Sequence, residues 1–326
     1  MKKVNILTLA VLAATVLTGC SNDDELTGTQ QSVLPDDNVI RLEAGVNNMQ
    51  TRAVGYAENG LAEFGLFVEN TGNSTYTFSN VCMKKDDSSI WTSYKSDKIT
   101  PWLMLWQNES TPVKVTAYAP YNENTNLGNQ FTGNVESDQT IEENGRKSDV
   151  LYAAASVTPN APETSNDIYY DTNTKKLNVK MGHVLSKLTV NIRYGTEMTH
   201  NDATPSLTSV TLGETQTGYT MDLISGSVGA TGDKSEINMM ISDDAVEGYS
   251  KSAEVILVPQ SAAFTITVTV HDDLDERTFV YNNAAFEFKK GNAYTLNLLV
   301  GKDITNIENI SASEWTTDDN GNLETE

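Results

Sequence analysis

The sequence predicts an all-β protein built from two tandem β-sandwich domains. Short segments alternate apolar and polar side chains, they are rich in β-branched and aromatic residues, and clusters of Asn, Gly and Asp separate them. Alternation with a period of two residues is typical of a strand that buries one face. No stretch sustains the i, i+3, i+4, i+7 spacing of an amphipathic helix beyond about two turns. Many short strands without crossover helices favour β-sandwiches.

Strands with one buried face recur along the chain. In residues 264–270, four apolar side chains alternate with Thr265, Thr267 and Thr269. Successive side chains of a strand point to opposite faces, so this arrangement buries one face and exposes the other. The same alternation is found in residues 113–119, 184–194, 207–212, 253–258, 277–282 and 293–300.

The N-terminal segment has the pattern of a secretion signal. Lys2 and Lys3 precede an apolar run that is too short for a bilayer span, which needs about 20 apolar residues. Small residues then lead to Cys20, and residues 17–20 resemble a bacterial lipobox. We therefore predict a lipoprotein signal peptide in residues 1–19 and attachment of lipid (palmitate) at Cys20. The alternative is an ordinary signal peptide in which Cys20 has no role.

Residues 21–25, with the sequence SNDDE, follow Cys20 directly. They resemble the acidic export signal of surface-exposed bacterial lipoproteins, which predicts a location on the outer face of the cell outer membrane. The alternative is a solvated acidic linker, a role that such residues take in many proteins.

The chain is strongly acidic, with 44 Asp and Glu residues against 22 Lys and Arg residues and a formal net charge of −22. An acidic chain without a basic patch repels phosphate backbones and anionic headgroups. We therefore predict no nucleic-acid partner, and a membrane contact made through the lipid rather than through surface charge.

Cysteine usage excludes an intramolecular disulfide once Cys20 carries lipid. The chain has two cysteines, so Cys82 is left without a partner. We expect Cys82 to pack as a small hydrophobic side chain, and the fold to depend on its core instead of on cross-links.

Turn-forming residues predict the domain division. Residues 158–167 contain Pro159 and Pro162 among Thr, Ser, Asn and Asp, and this composition interrupts strand pairing. The alternative position for the break is DTNTKK (171–176), and a break near residue 175 gives two domains of comparable size. The predicted organisation is a signal peptide (1–19), an acidic linker after the lipidated cysteine (20–38), an N-terminal strand within a removable propeptide (39–52), an N-terminal β-sandwich (53–174) and a C-terminal β-sandwich with a short acidic tail (175–326).

The sequence shows no catalytic or metal-binding motif. The histidines stand at 183, 200 and 271 without zinc spacing, and His183 is expected to be a satisfied, partly buried imidazole. Asp272, Asp273, Asp275 and Glu276 suggest a calcium loop, but they lie between two alternating strands, which favours an acidic hairpin tip. We predict a protein that is not an enzyme and that needs no cofactor or metal.

Two other functions are compatible with a surface β-sandwich protein. Trp91, Trp102 and Trp106 lie close together in the sequence and suggest a glycan-binding lipoprotein, although packing in a core is the favoured interpretation. Among 44 acidic residues, a pair suited to glycoside hydrolysis is always available, so acidic residues alone do not indicate a hydrolase.

An ordered set of segments carries a family resemblance. The segments are TRAVGYAENGLAEFGLFV (51–68), VKVTAYAPY (113–121), DVLYAAA (149–155), GHVLSKLTVNI (182–192), VILVPQ (255–260), FKKGNAYTLNLLV (288–300) and ISASEW (310–315). In this order, behind a lipobox, they resemble the fimbrillins, the type V pilins and pilus-like surface lipoproteins of Bacteroidales. The resemblance implies transthyretin-like topology in both sandwiches and a pilus subunit or pilus-associated adhesin. It also implies polymers with other pilin subunits and a ligand on a host or bacterial surface.

The resemblance also implies a removable first strand. Ile40, Leu42, Ala44 and Val46 alternate with polar or small residues, which predicts a strand with one buried face. In fimbrillins a protease cuts after an arginine that follows this strand, here between Arg52 and Ala53, and a strand from a neighbouring subunit fills the groove. The candidate donor strand contains Ile304, Ile307, Ile310 and Ala312; the alternative is that this segment is the native last strand.

Overall fold

The computed structural model describes residues 32–47, 55–56, 60–198, 205–271, 275–301 and 306–315. Cys20, Arg52, Ala53 and Ile304 lie outside these ranges. In chain order the strands are β1 Leu42–Val46, β2 Glu63–Glu69, β3 Phe78–Lys85, β4 Trp91–Tyr94, β5 Val113–Ala119, β6 Gln130–Asn134, β7 Leu151–Val157, β8 Ile168–Asp171, β9 Lys176–His183, β10 Ser186–Tyr194, β11 Ser206–Asp222, β12 Ser227–Asn238, β13 Met240–Ser242, β14 Lys251–Leu257, β15 Gln260–His271, β16 Glu276–Phe288, β17 Asn292–Val300 and β18 Asn306–Glu314.

Short helical segments complete the regular structure of the described residues. The α-helix α1 spans Glu142–Ser148, and single 3-10 turns occur at Ser74–Tyr76 and Thr196–Met198. No helix in the described ranges is long and apolar enough to span a membrane. The predicted all-β class is confirmed.

The first sheet contains most strands of the N-terminal half. Its order is β1-β9-β7-β5-β2-β3-β4, and β8 pairs with the first four residues of β9. β1 runs parallel to β9, whereas β9, β7, β5, β2, β3 and β4 are joined by antiparallel pairs. One buried cluster fills this region, with Phe64, Leu66, Val115, Leu151 and Leu177 among its members.

Two further sheets form the C-terminal half. One has the order β13-β14-β10-β17-β18, and the other has the order β12-β11-β15-β16 with β6 also paired to β11. Leu188 and Val190 of the former and Leu212 and Ile266 of the latter belong to one buried cluster, so these sheets pack through their apolar faces. The alternating segments 264–270 and 293–300 lie in β15 and β17, as expected.

Strand pairing crosses the predicted division at residue 175. β9 begins at Lys176 and pairs with β7, and β6 pairs with β11 through Phe131 and Met221. Tyr118 also shares a buried cluster with residues of the C-terminal sheets. By Cα proximity, Val33–Glu326 group as one unit. The division into two domains therefore stays a prediction.

The acidic stretch 271–277 connects β15 to β16. His271 pairs with Glu276 at the end of an antiparallel hairpin, and Asp275 and Glu276 are exposed. Asp272 and Asp273 lie outside the described residues. Among the residues that are described, no three His, Cys, Asp or Glu side chains are placed to hold a metal ion.

Candidate functional site

The segment around β1 connects two edges of the first sheet. On one side, the N–H of Ile40 donates to the carbonyl of Met104 at 2.9 Å. On the same side, the N–H of Trp106 donates to the carbonyl of Asn38 at 2.8 Å. The residues just before β1 therefore pair with the chain that follows β4.

On its other side, the segment pairs with β9 in the parallel direction. Leu42 lies opposite Leu177, and Val46 lies opposite Met181. The N–H of Asn47 extends this ladder by donating to the carbonyl of Met181 at 2.8 Å. Removal of the segment would thus leave unpaired backbone groups on both of its neighbours.

The apolar side chains that the sequence places on one face of the first strand face the N-terminal core. Ile40, Leu42 and Val46 are buried in the N-terminal cluster, with exposed fractions of 6%, 6% and 5%. Ala44 is half-buried against the same cluster. Burial of each large apolar side chain contributes roughly 1.5–3 kcal/mol, so the strand covers a substantial apolar groove.

Arg41 is a poor protease site for two structural reasons. Its guanidinium makes two hydrogen bonds to the carboxylate of Asp37, at 2.9 and 2.6 Å. Its carbonyl accepts the N–H of Leu177 at 2.8 Å. The hydrogen bond from Arg41, followed by that from the N–H of Val39, keeps the pKa of Asp37 well below its usual range. A protease binds a chain whose backbone is free to pair with it, whereas the backbone of Arg41 is already paired with β9.

A buried Asp–His pair lies near the described residues that follow Arg52. Asp149 stands between α1 and β7, and His183 ends β9. The Nδ1 of His183 is 3.0 Å from Oδ1 and 2.8 Å from Oδ2 of Asp149, and both side chains are fully buried. Because a carboxylate can only accept, Nδ1 carries the proton and donates. The Nε2 of His183 is buried and has no hydrogen-bond partner in the described structure.

Trp315, the last described residue, covers this pair. Its ring stacks on the imidazole of His183 with 3.8 Å between centroids and 2° between planes. The backbone N–H of Trp315 donates to the carbonyl of Gly291 at 2.7 Å, and the residue is 5% exposed. The end of β18 is therefore attached to the end of β9.

Gly55 and Tyr56 contact the same carboxylate from the N-terminal side. The N–H of Tyr56 donates to Oδ2 of Asp149 at 2.9 Å. Gly55 has a φ of +96°, and a Cβ added there would lie 2.9 Å from Oδ2 of Asp149 and 3.4 Å from the ring of Trp315. Burial and the nearby charge of Asp149 raise the pKa of Tyr56 to about 12. Only glycine fits this close approach at this backbone conformation.

Local sequence patterns did not reveal this cluster. Asp149 and His183 are 34 positions apart in the sequence, and no motif connects them. They lie in separate segments of the set that carries the fimbrillin resemblance, as do Gly55, Tyr56 and Trp315. Their location in these segments is the feature of the sequence that could have pointed to the cluster.

The candidate donor segment lies in its own sheet in this structure. β18 is antiparallel to β17, with Ile310 opposite Leu296 and Ala312 opposite Tyr294. Ile310 is half-buried against the C-terminal cluster, and Ala312 is exposed. The backbone of Ile307 also pairs with β17. This arrangement is that of a native last strand, and the donor role stays a prediction.

The three clustered tryptophans pack in the N-terminal core. Trp106 is buried, and Trp91 and Trp102 are partly buried against the same cluster. Each makes an edge-to-face contact with another ring: Trp91 with Phe64 at 4.9 Å, Trp102 with Phe78 at 5.9 Å and Trp106 with Tyr170 at 5.5 Å. These tryptophans therefore do not form an exposed platform for a sugar.

Cys82 is not placed as a nucleophile. The residue is fully buried in β3, and burial raises the pKa of its thiol to about 11. A reactive cysteine requires a lowered pKa and access to solvent. Cys82 therefore acts as the small core residue that the sequence predicted.

Comparisons with known proteins agree with this architecture. Similar crystal structures include proteins described as candidate cell adhesion proteins from Bacteroides uniformis (TM-score 0.59, 19% identity, 86% of this chain and 100% of that chain) and from Bacteroides ovatus (TM-score 0.63, 19% identity, 87% and 100%). A fimbrial protein from Bacteroides vulgatus is also similar (TM-score 0.50, 13% identity, 85% and 99%). At these identities, the likeness establishes the fold alone.

A comparison with curated proteins found no match. The model of the fimbrillin-like family, in contrast, matches residues 51–315. This match covers most of the chain and ends at Trp315 of the buried cluster. The chain therefore belongs to the fimbrillin-like family.

Proposed function

We propose that this protein is a structural subunit of a pilus, or a pilus-associated adhesin, held at the outer membrane by lipid during export. The family match over residues 51–315 carries the proposal. Fimbrillin-like proteins are structural proteins and not enzymes. Its partners are other pilin subunits and a ligand on a host or bacterial surface.

Assembly proceeds, in this proposal, by removal of the first strand. Cleavage between Arg52 and Ala53 separates residues up to 52 from the body. Loss of Ile40, Leu42 and Val46 uncovers an apolar groove between β9 and the chain after β4. An extended strand from another subunit satisfies both the unpaired backbone groups and the apolar groove.

The donor strand is the C-terminal segment of a neighbouring subunit. Ile304, Ile307, Ile310 and Ala312 supply its apolar side chains. This segment must first leave β17, to which β18 is paired. Release from β17 is therefore a step in assembly. A subunit of the pilus stalk must be able to release this strand in order to donate it.

Limited proteolysis tests the cleavage and the exchange. Trypsin treatment of the purified protein, followed by mass spectrometry, is expected to show a cut after Arg52 and to leave Arg41 intact. The trimmed protein is then expected to form multimers at high concentration, as measured by size-exclusion chromatography with light scattering. Arg52→Gln is the matched control, since it removes the site without changing a described contact.

Two outcomes would overturn this part of the proposal. The first is resistance of the Arg52–Ala53 bond under conditions in which other exposed sites are cut. The second is trimmed protein that stays monomeric and does not bind a synthetic peptide of residues 39–47. The peptide distinguishes an absent groove from an absent donor, because it tests the groove alone.

The lipid anchor is tested separately. Cys20→Ala is expected to lose palmitate labelling and to leave the membrane fraction of the native cell. Wild-type partitioning of this variant with the outer membrane would contradict the anchor while leaving the pilus proposal in place.

A further inference from the structure

Both chain ends that take part in the proposed assembly meet at one buried carboxylate. Asp149 accepts the N–H of Tyr56, which lies four residues after Arg52 in the sequence. It also accepts the Nδ1–H of His183, whose ring is covered by Trp315 at the end of β18. The N-terminal and C-terminal segments are thus attached to the body through one contact network.

Water exclusion connects the two attachments physically. The Trp315 ring stacks on His183 and also lies close to Gly55. A Cβ built on Gly55 would be 3.4 Å from Cζ2 of the Trp315 ring. Asp149 and His183 are fully buried beneath it. A hydrogen bond to a charged group is strong when water is absent and weakens when water competes. Removal of the indole therefore weakens both hydrogen bonds of Asp149.

We propose that the Asp149–His183–Trp315 cluster is a fastening that couples the N-terminal segment at Gly55–Tyr56 to the C-terminal strand β18. While the cluster is closed, neither end leaves the body. When Trp315 lifts from His183, the hold on Tyr56 weakens with it. The assignment rests on the proposed function for its biological meaning, but the coupling is a property of the uncleaved chain.

The coupling has a defined consequence for the proposed exchange. A cut after Arg52 releases the residues before it, whereas Gly55 and Tyr56 stay attached through Asp149. Gly55 and the residues after it are therefore expected to stay with the body after the cut. Departure of β18 from β17 requires loss of the Trp315 stack and of the hydrogen bond between Trp315 and Gly291. Donor release is thus more difficult than separation of an ordinary edge strand.

Hydrogen exchange on the full, uncleaved chain tests the coupling. The variant Trp315→Ala is expected to speed exchange of the Tyr56 amide and of the β18 amides together. Aromatic pairs contribute about 0.5–1.5 kcal/mol beyond area burial, so the increase is expected to lie between about twofold and tenfold. Amides of β15 report global unfolding, and all rates are compared with theirs.

Matched variants separate the fastening from general destabilisation. Trp91→Ala also removes an indole packed on one aromatic ring, that of Phe64, but Trp91 lies in β4 and is not part of the Asp149–His183–Trp315 cluster, so no joint change in the relative exchange of Tyr56 and β18 is expected. Asp149→Asn keeps the shape of the side chain and is expected to speed the same two groups of amides as Trp315→Ala. Trp315→Phe retains a stacked ring and is expected to give an intermediate result.

Independent behaviour of the two ends would overturn the proposal. Faster exchange in β18 with an unchanged Tyr56 amide in Trp315→Ala would show that the cluster holds each end separately. An equal response of all amides, β15 included, would likewise show a merely global effect. Neither readout requires cleavage or polymerisation, so failure of the pilus proposal and failure of the coupling are distinguishable.

Discussion

Gly65 lies in the middle of β2 because the ring of Tyr118 occupies the position of a side chain there. Tyr118 is fully buried on the neighbouring strand β5, and its hydroxyl donates to Oδ1 of Asn80 at 2.6 Å. A glycine in the middle of a strand is typical of a bulge or of a close approach by another group, and here the close approach is that of the Tyr118 ring. A register shift between Leu66 and Val68 follows it directly.

Substitution of Gly65 tests this packing. A Cβ at Gly65 would overlap the ring of Tyr118, so Gly65→Ala is expected to lower the free energy of unfolding by about 1–3 kcal/mol through overpacking. Gly182→Ala in β9 is the control, because a Cβ there meets nothing within 4 Å. Urea denaturation measures both variants; equal stability of Gly65→Ala and wild type would contradict the steric account.

Thiol labelling tests the environment of Cys82. In a soluble form that begins at Ser21, this thiol is the only one, and it is buried with a pKa raised to about 11. A thiol reagent at pH 8 is therefore expected to react with the urea-unfolded chain and very slowly with the native chain. An added exposed thiol, Ser88→Cys, is the positive control. Rapid labelling of native Cys82 would show that β3 opens easily.

The contribution of β1 belongs to the scale of single elements. Leu42→Asp places a charge in the buried face of β1, and burial of an unpaired carboxylate is expected to detach the strand. We expect faster tryptic cutting after Arg52 and a lower melting temperature, from a loss of about 2–4 kcal/mol. Glu43→Gln, on the exposed face of the same strand, is expected to change neither. Identical proteolysis of Leu42→Asp and wild type would show that β1 does not cover a groove.

Elements with one buried and one exposed face were predictable, and elements without this contrast were not. β15 and β17 alternate buried and half-buried or exposed positions, so their patterns appear in the sequence. β12 is mostly exposed on both faces, so its sequence shows no apolar alternation. The register of β11 shifts twice against β12, so an alternation of apolar and polar residues does not persist along β11. The short helix α1 contains Gly145 and has no apolar stripe.

The candidate site divides in the same way. The buried face of the first strand follows from local alternation at Ile40, Leu42 and Val46, which the structure confirms as buried. The Asp149–His183–Trp315 cluster depends on pairing between strands that are distant in the sequence, and no local spacing encodes such a contact. The location of Cys20 and Arg52 outside the described residues leaves lipidation and cleavage as predictions.

At the scale of the whole molecule, buried tyrosines set the response to alkaline pH. Burial raises the pKa of Tyr118 and of Tyr170 to about 12. An unfolded tyrosine loses its proton near pH 10, so between about pH 10 and 12 the unfolded chain binds fewer protons than the native chain. The stability contributed by these two tyrosines is therefore expected to be constant below this window and to fall within it.

Denaturation at pH 9 and pH 11, together with phenolate absorbance, measures this effect. Tyr170→Phe is expected to show a smaller fall between the two pH values, because one of the raised pKa values is removed. A free energy of unfolding that is equal at pH 9 and pH 11 would contradict the burial of these hydroxyl groups.

Resistance to reductant and chelator is a second property of the whole molecule. The described structure has a free Cys82 and no grouped metal ligands, and the stability is expected to come from the core alone. The melting temperature is therefore expected to stay the same with dithiothreitol or EDTA. A clear decrease with EDTA would point to calcium bound by the acidic residues of the stretch 271–277.

The long-range pairing of the first segment has a consequence for the order of folding. Tyr170 donates its hydroxyl hydrogen to the carbonyl of Val33, a residue 137 positions earlier, and β1 pairs with β9 over a similar separation. Closing so long a loop costs chain entropy before any contact offsets it, so distant pairings form late. The folding chain is therefore expected to pass through a state in which β2 to β9 are formed and the first segment is still free. That state has the same open groove as the proposed trimmed subunit, so a newly folding chain is exposed to premature strand capture until its own first segment docks.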